Sequence, residues 1–250
     1  MSPEKPTFEL CAPTLAAAVA ADRGGADRIE LCAELPLGGI TPGHTLLASV
    51  LASVSIPVHV LIRPRAGDFV FTSEEFAHMR RQVGAAKAAG AHGVAVGVLL
   101  PEGGVDVKRS RELAELARPM KVTFHRAFDV TPDLNEALDA VIETGADYLL
   151  TSGGAADVAT GAASIARIRT QAASRLEVMA GGGLRLSNLR EVVRRAGVSC
   201  LHGSLSTPVN GHPRETDRLE QDVREAVRLL CEACAQIAAD AANELNHQHH

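Results

Sequence analysis

The sequence is poor in aromatic residues and has no block of like charge. It contains no tryptophan and one tyrosine, and aromatic residues make up 3% of its 250 residues. So few rings argue against the stacking platforms that bind single-stranded nucleic acids. Lys and Arg total 25 against 30 Asp and Glu, a net charge of −5, so no basic surface for nucleic acid or anionic lipid is predicted. We expect neither nucleic acid nor a membrane as a partner.

The sequence also lacks an apolar stretch long enough to cross a membrane. Its longest uncharged stretch, residues 35–62, contains three prolines and three glycines, which predict loops around a helix and a strand. The amino terminus has no apolar segment behind a basic start, so no signal peptide is predicted. Five cysteines, an odd number, indicate reduced thiols in such a chain, and we expect a cytoplasmic protein.

What the sequence does contain is one unit repeated along its length. Short apolar runs alternate with Ala-rich amphipathic segments, which predicts alternating strands and helices. Four of the predicted helices end at a glycine, the residue that most readily closes a helix. These helices are Thr14–Arg23, Ser73–Ala89, Leu134–Thr144 and Asn188–Ala196. Eight strands are predicted to begin near Phe8, Arg28, Val58, Gly93, Lys121, Tyr148, Leu176 and Ser199.

Eight strand–helix units in a chain of this length are typical of a (β/α)₈ barrel. No GxGxxG motif follows the first strand, which removes the main support for a dinucleotide-binding fold. We therefore predict an α/β fold, a single-domain TIM barrel of eight parallel strands whose outer helix layer need not be complete. The barrel is expected over residues 1–242, with the last helix at about Thr216 to Ala242 and a flexible tail at 243–250.

The first two strands carry the same tripeptide, Glu-Leu-Cys. Alternation places Glu9 with Cys11, and Glu30 with Cys32, on one side of each strand. Because the other side must face the apolar helices, we expect these four side chains inside the barrel. Two buried carboxylates need cations or protons nearby.

The third strand supplies candidate cations in the segment RPRAGDF. Alternation predicts that Arg63 and Arg65 lie on one side, close to the barrel mouth where Asp68 begins a loop. A guanidinium presents a planar fork of donors suited to carboxylate or phosphate. We expect Arg63 and Arg65 to form an anion-binding element together with Asp68. Within it, Arg63 is expected to pair with the carboxylates of Glu9 and Glu30, and Arg65, nearer the mouth, to bind the ligand.

The fifth strand and the loops of the later strands complete the candidate site. His125 and Asp129, in VTFHRAFD, are expected to act in proton transfer with Glu9 and Glu30. Glycine loops after strands seven and eight are where many barrels bind phosphate. Further anion-binding candidates are Arg126, Ser152, Gly182, Gly183, His202 and Ser204.

Structural interpretations of the same residues stay open. Free cysteine is among the most buried residue types, so Cys11 and Cys32 fit either a small core contact or a metal site. The carboxylates and arginines could form a polar layer inside the barrel without any turnover, although buried ionic layers are costly and tend to mark functional sites.

Five segments together resemble the CutC copper-homeostasis family. They are GADRIELCAELPLGGITPG, IPVHVLIRPRAGDF, VTFHRAFD, LLTSGG and MAGGG, in this order, and the similarity runs from about Phe8 to about Ser206. The resemblance implies a TIM barrel, a cytoplasmic location, Cu(I) binding and a role in copper tolerance or trafficking. The copper-binding cysteines proposed for the family match Cys11 and Cys32, and Gly203 stands where the family commonly has Ser or Cys.

Two hypotheses about function follow. The resemblance favours a Cu(I)-binding homeostasis protein. The set of carboxylates, histidines and arginines favours instead an enzyme, an isomerase or lyase acting on a small anionic or sugar-like substrate, with a divalent metal as a further candidate cofactor. In either case the expected partner is a metal ion or a small anionic molecule, and a homo-oligomer is expected.

Overall fold

The computed structural model describes residues 5–205 and 213–247, and its strands form a closed parallel barrel. Each strand pairs with the next along the chain, and the eighth pairs with the first. The predicted TIM barrel is confirmed, and every strand begins within one residue of its predicted start. The strands are β1 (Thr7–Ala12), β2 (Arg28–Leu31), β3 (Val58–Leu61), β4 (Gly93–Val96), β5 (Lys121–Phe124), β6 (Tyr148–Thr151), β7 (Glu177–Gly181) and β8 (Cys200–Gly203).

In the part of the chain that the structure describes, eight α-helices follow the strands and surround the barrel. They are α1 (Leu15–Gly24), α2 (His44–Leu51), α3 (Ser73–Ala88), α4 (Val107–Ala117), α5 (Leu134–Glu143), α6 (Ala162–Ala172), α7 (Leu186–Ala196) and α8 (Pro213–His247). Local signals set their ends: α3 begins with a capping box in which Thr72 and Glu75 bond each other's backbone N–H, and α1 ends at Gly25 in the left-handed conformation. Helix α8 extends through 243–247, which the sequence assigned to a tail, and residues 248–250 lie outside the described residues.

Side-chain alternation divides the apolar residues into an outer core and a barrel interior. Phe8 and Leu10 face the helices and belong to the large buried cluster between strands and helices. Burial of one such side chain contributes about 1.5–3 kcal/mol to the free energy of unfolding. Two smaller clusters fill the interior, one of Cys11, Cys32, Leu61 and Ala95, the other of Leu150, Met179 and Cys200. The predicted inward direction of both cysteines is therefore confirmed.

The strand register arranges the polar interior in layers. Cys11 lies opposite Glu30, and Glu9 lies opposite Arg28 on β2 and His202 on β8. The two Glu-Leu-Cys tripeptides are therefore not side by side, which would require Glu9 opposite Glu30. Strand β2 is displaced by two residues along β1 from that pairing. Among the described residues, no helix is long and apolar enough to cross a membrane.

Candidate functional site

A cavity of about 220 Å³ opens at the carboxyl ends of the strands, where barrel enzymes and binding proteins place their sites. The residues lining it come from the ends of β1, β2, β3, β6 and β8 and from the loops after β2, β3, β5, β7 and β8. The polar and glycine residues of the lining are Cys11, Glu30, Gly38, Arg63, His125, Arg126, Gly182, Gly183, His202, Gly203 and Ser204.

Beneath this cavity, Glu9 forms a buried ionic layer. Its carboxylate is 1% exposed, accepts a hydrogen bond from Arg28 Nε, and contacts His202 Nδ1 at 2.7 Å. Burial by itself would raise the pKa of Glu9, but the charge of Arg28 and the hydrogen bond with His202 outweigh it and lower the pKa. Glu9 is therefore an anion with two partners. His59 lies on its other side, with Nδ1 3.9 Å from Glu9 Oε2.

Arg28 takes the place expected for Arg63. The prediction that Arg63 pairs with Glu9 and Glu30 is wrong, because the register sets Arg28 directly opposite Glu9. Arg28 was missed, although it shares the inward parity of Glu30 and alternation could have found it. Its guanidinium also lies over the ring of Tyr148, with Cζ 4.4 Å from the ring centroid.

The two predicted metal-ligating cysteines meet one layer above Glu9. Cys11 Sγ lies 3.5 Å from Cys32 Sγ and 3.7 Å from Glu30 Oε1, all in buried surroundings. Ligand atoms of Cys11, Glu30 and His202 lie within 4.8 Å of one another, close enough to share one metal ion. The structure thus brings together four of the residues singled out in the sequence.

Burial and like charge keep protons on this group. The hydrogen bond with Cys32 and the loss of solvent raise the pKa of Cys11 well above its usual value, and the nearby carboxylates add to the effect. Burial likewise raises the pKa of Glu30. For His202 burial works in the opposite direction, yet the charge of Glu30 and the hydrogen bond with Glu9 raise its pKa. A metal bound here would have to displace protons.

Arg63 lies on another wall of the cavity and is 6% exposed. Its Nη1 donates to the carbonyl oxygens of Leu37 and Gly39, and its Nη2 donates to Gly67 O at 2.6 Å. It forms no ion pair with any residue that the structure describes, and its buried Nε has no hydrogen-bond partner. This guanidinium therefore ties together the loops after β2 and β3 with its charge unpaired.

His125 stands beside Arg63, and Phe69 contacts both. The Phe69 ring centroid lies 5.1 Å from that of His125 and 4.8 Å from Arg63 Cζ. Burial, with the charge of Arg63, lowers the pKa of His125 to about 3. Gly97 allows the ring to lie so close to β4, because a Cβ at that position would come within 2.4 Å of His125 Cε1. Phe69 and Gly97 were missed, since neither has a sequence signal that ties it to the site.

Asp129 does not form the expected proton-transfer pair with His125. Its carboxylate accepts from Arg126 Nε at 2.9 Å, from the Thr151 and Ser152 hydroxyls, and from the backbone N–H groups of Ser152 and Gly154. These bonds occupy both oxygens and tie the loop after β5 to that after β6. Asp129 and Ser152 are therefore absent from the cavity lining, whereas Arg126 reaches it.

Arg65 and Asp68 also lie away from the cavity, which corrects the predicted side-by-side arrangement of Arg63 and Arg65. Alternation does not extend to these residues, because β3 ends at Leu61 and the chain turns. Arg65 donates to Asp68 at 2.9 Å and to Glu75 at 2.6 Å, and its side chain is 37% exposed. It is paired on the protein surface.

The fold and the cavity define a class of protein: a (β/α)₈ barrel with a buried thiol–carboxylate–histidine group at the carboxyl ends of its strands. The CutC family model matches residues 7–207, so the chain belongs to the CutC family.

Relatives and a solved structure agree with this assignment. A CutC family protein of Caulobacter vibrioides is 44% identical, covering 92% of this chain and 99% of the relative. One of Chromobacterium violaceum is 45% identical, covering 79% and 80%. The crystal structure of CutC from Streptococcus agalactiae, whose name links it provisionally to copper homeostasis, superposes with a TM-score of 0.75 at 28% identity, covering 80% of this chain and 99% of that one.

Proposed function

We propose that this protein binds Cu(I) through Cys11 and Cys32 and serves copper homeostasis. The observation that carries the proposal is the pair of buried sulfurs 3.5 Å apart at the cavity, next to Glu30 and His202. Thiolates are the soft ligands that favour Cu(I). The family to which the chain belongs supports the same role.

The sulfur–sulfur distance favours a bent arrangement over a linear one. Two thiolates bound at about 2.3 Å to one ion have sulfurs about 4.6 Å apart when linear and about 3.8–4.0 Å apart when bent. From the observed 3.5 Å, a bent pair requires the smaller movement. A bent pair also leaves one side of the ion open to a third ligand.

His202 is the third ligand that the geometry favours. Its Nδ1 lies 2.7 Å from the Glu9 carboxylate, which leaves Nε2 as the nitrogen for a metal. Many metal-binding histidines are oriented by a carboxylate in this way. Glu30 Oε1 lies 3.7 Å from Cys11 Sγ and faces the thiol proton that copper binding must displace.

Copper competition tests the proposal. Cu(I) affinity is measured against a competing chelator in a background with both α8 cysteines, Cys231 and Cys234, replaced by serine, because their thiols could bind copper by themselves. In that background Cys32→Ser should lower the affinity at least about tenfold, the loss of one soft ligand. Cys200→Ser, a buried thiol in the other interior cluster, should leave it within about twofold.

Two results would contradict the assignment. One is an unchanged Cu(I) affinity in both Cys11→Ser and Cys32→Ser, and the other is zinc binding more tightly than Cu(I) in a parallel titration. The cytoplasmic location and the homo-oligomer stay predictions.

A further inference from the structure

Among the described residues, Arg63 is the one arginine at the cavity without an ion-pair partner. Arg28 pairs with Glu9, and Arg126 pairs with Asp129 at 2.9 Å. The hydrogen-bond acceptors that the described residues offer the Arg63 side chain are carbonyl oxygens, since Asp68, the acidic residue in its own loop, pairs with Arg65 instead. A buried cation without a counter-charge is costly, because carbonyl dipoles replace only part of the lost hydration.

The guanidinium of Arg63 also has more N–H donors than hydrogen bonds. A guanidinium has five N–H donors, and the three carbonyl contacts of Arg63 account for three of them. One of the two that remain is Nε–H, which is buried and has no acceptor. Linking the loops after β2 and β3 therefore explains why the Nη atoms of Arg63 bind carbonyl oxygens. It does not explain why a charged side chain is used there or why its Nε–H has no acceptor.

His125 adds a second unsatisfied donor to the same wall. Its Nδ1 accepts the backbone N–H of Ala127 at 3.2 Å. Because the low pKa of His125 makes the ring neutral at pH 7, the single ring proton is then on Nε2. This Nε2–H is buried without an acceptor. Phe69 packs against both His125 and Arg63, so the two donor groups belong to one constructed wall.

We propose that the cavity binds a small oxyanion, a carboxylate or phosphate group, at the wall formed by Arg63, His125 and Phe69. The anion would neutralise the unpaired guanidinium and accept the hydrogen bonds that the protein leaves unmade. The cavity volume of about 220 Å³ limits the ligand to a small molecule. None of the residues of this wall is a proposed copper ligand, so the anion proposal does not rest on the copper proposal.

Calorimetric titration of the intact protein with malonate and, separately, with inorganic phosphate tests the proposal at pH 7. Saturable binding of either is expected, and the stronger of the two identifies the group. Arg63→Met should weaken that binding by about 10–100-fold, the value of one or two charge-assisted hydrogen bonds. Arg65→Met, which removes a paired surface arginine of the same loop, is the matched control and should leave the affinity within about twofold.

A purely structural Arg63 would alter the melting temperature and leave anion affinity unchanged. His125→Phe provides a second test if Arg63→Met does not fold. It keeps an aromatic ring but removes the Nε2–H donor, together with the Nδ1 acceptor of the Ala127 N–H, and at least about a fivefold loss of anion affinity is expected. Wild-type protein that binds neither anion, or binding of equal strength in Arg63→Met or His125→Phe, would overturn the proposal. Cu(I) affinity measured on the same preparation keeps a failure of copper binding separate from a failure of anion binding.

Discussion

Two walls of the barrel interior differ in how they hold buried charge. On the wall of β1, β2 and β8, Glu9 is held by Arg28 and His202, so the ionic layer is complete within the protein. On the wall after β3 and β5, Arg63 is buried among carbonyl oxygens and a neutral His125. The first wall is a finished structural layer, and the second is complementary to an anion from outside.

The difference separates residues that stabilise the barrel from residues that stay available to a ligand. A charge whose partner is fixed by strand register costs stability when it is removed, because its partner stays buried. A charge held only by dipoles leaves nothing charged behind when it is removed. The two walls should therefore respond differently to substitution.

The largest expected effect is that of Glu9→Gln. The substitution keeps the shape of the side chain but leaves Arg28 buried without a counter-charge, so the free energy of unfolding should fall by about 3–5 kcal/mol. Arg63→Met should cost less, about 1–2 kcal/mol, because no carboxylate loses its partner. Urea denaturation at pH 7 measures both. Glu232→Gln, which removes the exposed ion pairs of this α8 residue with Arg190 and Arg228, is the control, expected within about 1 kcal/mol. An Arg63→Met variant less stable than Glu9→Gln would refute the comparison.

Acid sensitivity should be the next largest effect. Burial lowers the pKa of His59 to about 4 and that of His125 to about 3. Below about pH 6.5 these two histidines are therefore protonated in the unfolded chain while they stay neutral in the folded protein. Stability is therefore expected to fall as the pH drops from about 6.5 to about 4, partly offset by Glu30, whose raised pKa has the opposite sign.

Removal of one buried histidine isolates this effect. His125→Gln should reduce the loss of unfolding free energy between pH 7 and pH 4.5 by about 2 kcal/mol. The comparison is made by urea denaturation at both pH values, with His78→Gln on the exposed face of α3 as the matched control. An unchanged acid slope in His125→Gln would show that the ring is protonated in the folded protein, and the tautomer assigned to it would be wrong.

An effect of similar size is expected from filling the space that admits His125. A methyl group at Gly97 would meet the imidazole ring, so Gly97→Ala should destabilise the protein by about 1–3 kcal/mol through overpacking. Gly84→Ala, inside α3 with open space around the added carbon, should instead stabilise by about 0.5–1 kcal/mol. Thermal unfolding of both variants measures the difference. Equal shifts of the same sign would mean that the ring moves aside freely and that its position is not fixed by β4.

Much of the fold could be predicted because its signals are local. Strand starts, the glycine that follows α1 and the inward direction of Glu9, Cys11, Glu30 and Cys32 all follow from periodicity and alternation within single segments. The same rule failed for Arg65, because alternation holds only along a strand and β3 ends before the arginines. The pairing of Glu9 failed for another reason: it depends on how far one strand is displaced along the next.

The sequence by itself determined the barrel, its eight strands and which side chains of the first two strands face inward, since each of these depends on the order of apolar and polar residues along a short segment. Only the tertiary structure decided that Arg28 neutralises Glu9 and that the hydrogen bonds of Asp129 are taken up by the loop after β6. It also decided that Arg63 has no ion-pair partner among the described residues. Those outcomes depend on register and loop packing, in which groups far apart in the chain compete for the same few partners inside a small volume.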